Sequence, residues 1–170
     1  EELSDAAFQL ATKTNPARFV RLVHGLPRTA RDSWFEAILS AAAATEPEQG
    51  IAAPDWHPAN AADVEACMEL MGTRDSKHLA ITLASLERTR PAEQWSDLTI
   101  DRLCKQAVSH PDPGPNDGGG YGNLATVDAD KLIHIAINCA RGVALEAIER
   151  LMWHHPGRHA QFIQVAEKAV

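Results

Sequence analysis

Apolar residues recur at spacings of three and four along almost the whole chain, and this periodicity constrains the fold more than any other feature. Such spacing places an apolar stripe along one side of an α-helix. Alanine supplies much of the apolar share, including the run Ala41 to Ala44, whereas aromatic residues make up only 5% of the 170 residues. Because alanine leads the helix-propensity scale and is depleted in strands, the sequence predicts an all-α protein of about eight short, closely packed helices.

The connections between these helices are short, and several helix starts carry a residue suited to capping. Asn15 precedes a proline, and Asp32 or Ser33 can cap the third helix. Asn60 precedes a further periodic segment, and Ser96 or Asp97 opens another. Consecutive helices joined by short turns are typical of an α-solenoid of HEAT- or tetratricopeptide-like repeats, or of an irregular helical bundle. The sequence has no strict internal period, so any repeats are degenerate.

The strongest periodic segment predicts one helix whose apolar face continues over about five turns. It begins near Asp128, and its inner face runs from Ile133 to Leu151. Gly142 lies inside this helix, where it either permits a close approach between helices or marks a kink.

Two further predictions concern which side chains face the core. The first helix is expected to carry one apolar inner face, made of Leu3, Ala6, Ala7, Leu10 and Ala11. Trp34 and Trp153 lie in helical patterns and are expected in the core as well.

Residues from about 110 to 127 are rich in Gly, Pro and Asn, which predicts a long loop. Its glycines do not match a phosphate-binding loop, since no Gly-Lys-Ser/Thr sequence follows a strand. Tyr121 and Asn123 in this loop, and Trp56 in an earlier one, are our candidate contact residues for a binding partner. The alternative for Trp56, and for Trp95 in another connection, is that each indole holds its loop against the helices.

Asn138 and Arg141 form a polar pair in an otherwise apolar helix, three residues apart and hence on neighbouring positions of one face. One interpretation is a solvated polar stripe. The other is a structural brace, in which a partly buried Arg and Asn hold adjacent helices, or the preceding loop, by directional hydrogen bonds.

Eight histidines are many for this length, and His154, His155 and His159 cluster near the C-terminus. A zinc site needs three or four ligands in a tetrahedral arrangement. Pro156 and Gly157 break the helix between these histidines, so they are only weak metal candidates. No local motif marks a catalytic nucleophile. We therefore assign no catalytic residue, no metal and no cofactor from the sequence.

Charge and cysteine content limit the partners and the compartment. The chain has 16 Lys and Arg against 23 Asp and Glu, a net charge of -7, which argues against a nucleic-acid partner. No apolar run approaches the roughly 20 residues that span a bilayer. The three cysteines are widely spaced in helical patterns, which favours a reducing cytoplasm. Because the chain begins without Met and ends in a periodic segment, we expect residues 1–170 to be one helical-repeat segment of a larger protein.

Several stretches resemble a known class of helical regions. They are NPARFVRLVHGLP, WFEAIL, WSDLTIDRLCKQAVSHPDP and LIHIAINCARGVALEAIERLM, with HPDP and the N-x-x-R-G run as the best markers. From Asn15 to about Met152 the chain resembles helical repeat regions of large bacterial STAND-type P-loop NTPases, a class that includes antiphage-defence proteins. The resemblance implies a superhelix that senses a ligand protein or holds the ATPase inactive. It implies no catalytic residues here, and any ATPase activity would lie outside this segment.

Our functional hypothesis from the sequence is a non-enzymatic scaffold for protein recognition or autoinhibition. Its partner would be another protein or another domain of the parent chain. Two alternatives stay open: a small metal-dependent or hydrolytic helical enzyme that uses the histidine cluster, and a helical oligomerisation module. The sequence leaves the oligomeric state undetermined.

Overall fold

The computed structural model describes residues 5–27, 29–51, 54–71, 77–114 and 128–169, with the backbone alone for residues 77–79. Most of these residues lie in helices and none lies in a strand, so the all-α prediction is confirmed. Val23–Gly25 and Pro156–Arg158 form short 3-10 helices. The α-helices are α1 (Asp5–Thr14), α2 (Pro16–Leu22), α3 (Asp32–Ala42), α4 (Ala61–Met71), α5 (Lys77–Thr89), α6 (Asp97–Ser109), α7 (Ala129–Asn138), α8 (Ala140–His154) and α9 (His159–Ala169).

The helices pack in two layers. One layer runs α1, α3, α5, α8, each helix packing on the next in that order. The other contains α2 and α4, which contact each other, and α6 and α9, which do the same. Several helices thus pack on the helix two places later in the chain, as α1 does on α3 and α3 on α5. This arrangement is typical of stacked helical hairpins. The main contact of α7 is with α8, so α7 lies at the margin of this stack.

The hydrophobic core lies between the layers and is built mostly from aliphatic side chains and alanines. Alanine at positions such as Ala42, Ala84 and Ala144, all fully buried, lets neighbouring helix backbones approach closely. The largest fully buried apolar side chains come from both layers: Ile38, Leu39, Met68, Met71, Leu86, Ile100, Leu103, Leu151 and Phe162. None of the described helices combines the length and apolarity needed to cross a bilayer.

Three of the four capping predictions are confirmed. The fourth is wrong, because α3 begins after Arg31 with no side-chain cap, and Asp32 is already its first helical residue. The side-chain oxygens of Asn15, Asn60 and Ser96 each accept a hydrogen bond from the backbone amide three residues later, at 3.1, 2.8 and 3.3 Å. Each bond satisfies an amide that has no partner within the first turn of its helix.

The predicted inner face of the first helix is wrong. Leu10, Ala6 and Ala7 are exposed, and Ala11 is half-buried, whereas Phe8 and Thr12 are buried. Leu3, the fifth residue of the predicted face, lies outside the described residues. Phe8 stacks on Trp34 with ring centroids 4.8 Å apart and meets the edge of Phe19 at 5.6 Å. Because an aromatic side chain buries far more area than alanine, these ring contacts determine the orientation of α1.

The predicted single helix is also wrong, because the chain is interrupted at Cys139. This residue is extended, with φ -92° and ψ 163°, and it separates α7 from α8 three positions before Gly142. As a consequence, the side chains of Ile133 and Ile137, predicted to face the core, are 62% and 56% exposed.

Trp153, predicted to lie in the core, is 83% exposed. Ile148 and Leu151 occupy the buried face of α8, and Trp153 lies about 200° around the helix from Leu151. Trp34 is half-buried and packs against the core, in line with its prediction.

Candidate functional site

A compact polar site lies where residues 110–113 meet residues 139–142 at the start of α8, and we call it the α8 junction. Oδ2 of Asp112, a buried residue, accepts a hydrogen bond from the backbone amide of Ala140 at 2.6 Å. A carboxylate is favourable at this point, because helix N-termini carry unpaired amides and a partial positive charge. Asp112 therefore stabilises the first turn of α8 from outside the helix.

Two further hydrogen bonds belong to the α8 junction. His110 Nδ1 accepts a hydrogen bond from the Asp112 amide at 3.0 Å, and the Asp112–Pro113 peptide bond is cis. The half-buried Arg141 donates from Nη2 to the carbonyl oxygen of Pro113 at 3.0 Å. The HPDP segment and the N-x-x-R-G run, far apart in sequence, thus contact each other directly.

The end of α7 is joined to α8 by an unusual cap. The Cys139 thiol donates to the carbonyl oxygen of Ala136 at 3.1 Å, and its sulfur accepts from the amide of Gly142 at 3.2 Å. A Cβ atom built on Gly142 would overlap the Ala136 carbonyl. Glycine is therefore required here for close approach, and the backbone it approaches is the last turn of α7.

Asn138 and Arg141 do not form the predicted pair on one helical face, because the interruption at Cys139 places them in different helices. Asn138 is exposed, and its Nδ2 donates to the carbonyl oxygen of His134 at 2.7 Å within α7. Of the two residues, only Arg141 contacts the preceding loop, through its hydrogen bond to Pro113, as the hypothesis of a structural brace requires. Its effect on stability stays a prediction.

An apolar surface lies on α7 beside the α8 junction. Leu132, Ile133 and Ile137 are 40%, 62% and 56% exposed, whereas Ile135 is buried. We call the three exposed side chains the α7 face. Neighbouring exposed aliphatic residues on one helix are typical of surfaces that bind another protein. Periodicity alone predicts one uninterrupted helix with this surface on its inner side. The signal for an interruption is the pair of short residues Asn138 and Cys139, which are able to end and cap a helix.

The two tryptophans in connecting segments both hold their loops in place. Trp56 donates from Nε1 to the carbonyl oxygen of Lys13 at 3.0 Å, and Trp95 donates to that of Arg90 at 3.2 Å. Trp95 is buried, with the Arg90 guanidinium 5.9 Å from its ring centroid. Trp56 stays half-buried at the edge of a cavity of about 400 Å³ beside α1. The other two contact candidates, Tyr121 and Asn123, lie outside the described residues.

The histidine cluster is spread over the end of α8 and the start of α9. His159 Nε2 lies 2.6 Å from the carbonyl oxygen of Met152. Because a carbonyl oxygen only accepts hydrogen bonds, this nitrogen carries a proton and has no lone pair to offer a metal ion. His154 is exposed, and burial lowers the pKa of the half-buried His155. Within the described part of the chain, no three His, Cys, Asp or Glu side chains lie close enough together to hold a metal ion.

Two of the buried thiols, those of Cys67 and Cys104, are poor nucleophiles. Burial raises the pKa of Cys67 to about 12 and that of Cys104 to about 11. Both therefore stay protonated at neutral pH, and the thiolate is the reactive form.

A buried ion pair links α5 to α6. Glu87, 1% exposed, accepts a hydrogen bond from Arg102 Nη2 at 2.7 Å. Burial raises the pKa of Glu87 to about 7, because the cost of desolvating the carboxylate exceeds the attraction of Arg102.

Comparison with known proteins assigns no family. No protein-family model, no curated protein and no solved structure matches the chain. The described residues instead present a helix with an exposed apolar face, joined to the helical stack at the α8 junction. Covering an apolar surface of this kind with another protein removes it from water and so lowers the free energy.

Proposed function

We propose that this chain is a non-enzymatic helical scaffold that binds another protein, or another domain of a longer polypeptide, through the α7 face. The observation that carries the proposal is the exposure of Leu132, Ile133 and Ile137 on one helix whose main contact is with α8. Ile133 and Ile137 are one turn apart, so an amphipathic helix of the partner can lay its apolar stripe along them.

The α8 junction supports this proposal because it holds α7 in a defined position. The Cys139 thiol contacts both helices, and the last turn of α7 packs directly on Gly142. A binding surface that is already ordered loses less conformational entropy when the partner arrives. The polar contacts of the junction therefore favour recognition through α7 without taking part in chemistry.

For the setting of this scaffold, we propose the cytoplasmic helical-repeat arm of a bacterial STAND-type NTPase. Support comes from the resemblance of the HPDP and N-x-x-R-G segments, which contact each other at the α8 junction. Three free, buried cysteines fit a reducing compartment. In that setting, the partner of the α7 face would be a sensed protein or the ATPase domain itself, held inactive.

The proposal is tested first by photo-crosslinking in the source cells. A photoreactive residue replaces Ile133 in one sample and Leu22, an exposed residue of α2, in the other. A partner captured at Ile133 and absent at Leu22 is identified by mass spectrometry and purified. Its affinity is then measured for the wild type, for Ile133→Asp with Ile137→Asp, and for the matched control Leu22→Asp.

We expect the double variant to bind at least about tenfold more weakly, because each isoleucine contributes about 1.5–3 kcal/mol when buried. The control should bind as the wild type does. Equal crosslinking at both positions, or unchanged affinity of the double variant, would contradict the proposal. Light scattering tests the alternative of an oligomerisation module. If the wild type is a dimer and Ile133→Asp is a monomer, the α7 face binds a second copy of this chain.

A further inference from the structure

A groove separates α4 from α6, and we call it the α4–α6 groove. The two helices make few direct contacts, and a cavity of about 430 Å³ lies between them. Glu65, Ala66 and Glu69 line it on the α4 side, and Leu98 and Arg102 line it on the α6 side. Ligand sites in proteins span about 300–1,000 Å³, so this volume suits one or two side chains of an inserted segment.

The charges along the groove are unbalanced. Among its described lining residues Glu65 and Glu69 are two anions and Arg102 is the one cation, and the Arg102 guanidinium donates its hydrogen bond to the buried Glu87 rather than to either of them. Glu65 and Glu69 lie one turn apart on α4, so their carboxylates are neighbours. A hydrogen bond of 2.5 Å from the Ser96 amide to Glu65 Oε1 orients the first of them. The groove therefore attracts a cation and disfavours an anion.

We propose that the α4–α6 groove binds a lysine or arginine side chain from an extended basic segment of a partner protein. The aliphatic part of that side chain would cover Ala66 and the exposed Leu98, and its charged end would reach Glu65 and Glu69. The net charge of -7 adds long-range attraction for such a segment. This site is separate from the α7 face and does not depend on it.

The test uses two fluorescein-labelled octapeptides, one alternating lysine with alanine and the other glutamate with alanine. Fluorescence anisotropy should show binding of the lysine peptide, at least about tenfold weaker binding of the glutamate peptide, and weakening by added salt. Equal binding of the two peptides, or no binding of the lysine peptide up to about 1 mM, would overturn the proposal.

A pair of charge-neutralising variants locates the binding. Glu65→Gln with Glu69→Gln should weaken the lysine peptide about tenfold, while the glutamine that replaces Glu65 still offers an oxygen to the Ser96 amide. The matched control, Glu149→Gln with Glu167→Gln, removes two exposed carboxylates elsewhere. If both double variants lose affinity equally, the attraction is that of the whole protein and the proposed site is wrong. Ile133→Ser should bind the peptide as the wild type does, since it changes only the α7 face.

Discussion

The carboxylate of Asp112 caps α8 by accepting a hydrogen bond from the amide of Ala140, 2.6 Å away, although the two residues are 28 positions apart. This contact joins the two ends of the segment that contains α7. The position of α7, and with it that of the α7 face, therefore depends on a bond formed outside α7.

Replacing Asp112 by alanine should lower the free energy of unfolding by about 1–3 kcal/mol, because the amide of Ala140 loses its acceptor in a buried place. Urea unfolding monitored by circular dichroism measures the change. Asp55→Ala, which removes an exposed carboxylate, is the control and should stay within about 0.5 kcal/mol of the wild type. Equal stability of the two variants would show that the cap contributes nothing.

Arg141→Ala should cost about 1–3 kcal/mol of stability, as expected when a hydrogen bond from a charged group to a partly buried carbonyl is lost. The same unfolding measurement applies, with Arg18→Ala on the exposed side of α2 as the control. A change within about 0.5 kcal/mol for Arg141→Ala would instead support the interpretation of a solvated residue.

Gly142→Ala should destabilise the protein by more than about 3 kcal/mol, because the added Cβ can be accommodated only if the last turn of α7 moves. Gly25→Ala is the matched control, since nothing lies within 4 Å of the position its Cβ would take. That control should change stability by less than about 1 kcal/mol. Thermal unfolding that is the same for both variants would contradict the close approach between α7 and α8.

Glu87 should make the protein less stable as the pH rises. Its pKa is raised from the ordinary 4.5 to about 7, so between these values the folded chain retains a proton that the unfolded chain has released. The free energy of unfolding therefore falls across this window, by roughly 3 kcal/mol in total at about 1.4 kcal/mol per pH unit. Below pH 4.5 both states are protonated, and the contribution is fully present.

The measurement is urea unfolding from pH 4 to about pH 8 for the wild type and for Glu87→Gln, which cannot titrate. We expect the decline across the window to be smaller in the variant. Glu149→Gln, at an exposed position of α8, should retain the wild-type profile. Parallel profiles for the wild type and Glu87→Gln would mean that Glu87 does not titrate in this range.

Local features of the structure were predictable because they depend on residues close together in the chain. The helical content follows from periodicity and alanine content. The caps at Asn15, Asn60 and Ser96 each involve an amide only three residues away. Such bonds form within a single helical turn, so they can be predicted without knowing which elements pack against the helix.

The orientation of a helix was not predictable in the same way. Leu10 and Phe8 are both apolar, and the ring of Trp34, contributed by another helix, selects Phe8 for burial. Similarly, Ile133 and Ile137 fit a continuous helical stripe, yet the interruption at Cys139 turns them to solvent.

The sequence by itself therefore determined that this protein is all-α and where several of its helices begin. Asn138 and Cys139 are a local signal that a helix can end there, and Cys139 caps the start of α8. The tertiary structure adds the long-range cap, since the carboxylate that accepts from the Ala140 amide comes from Asp112. It also brought Glu65 and Arg102 to one groove from different helices. Periodicity reports which residues share one side of a helix, but burial depends on which surfaces the folded chain brings together.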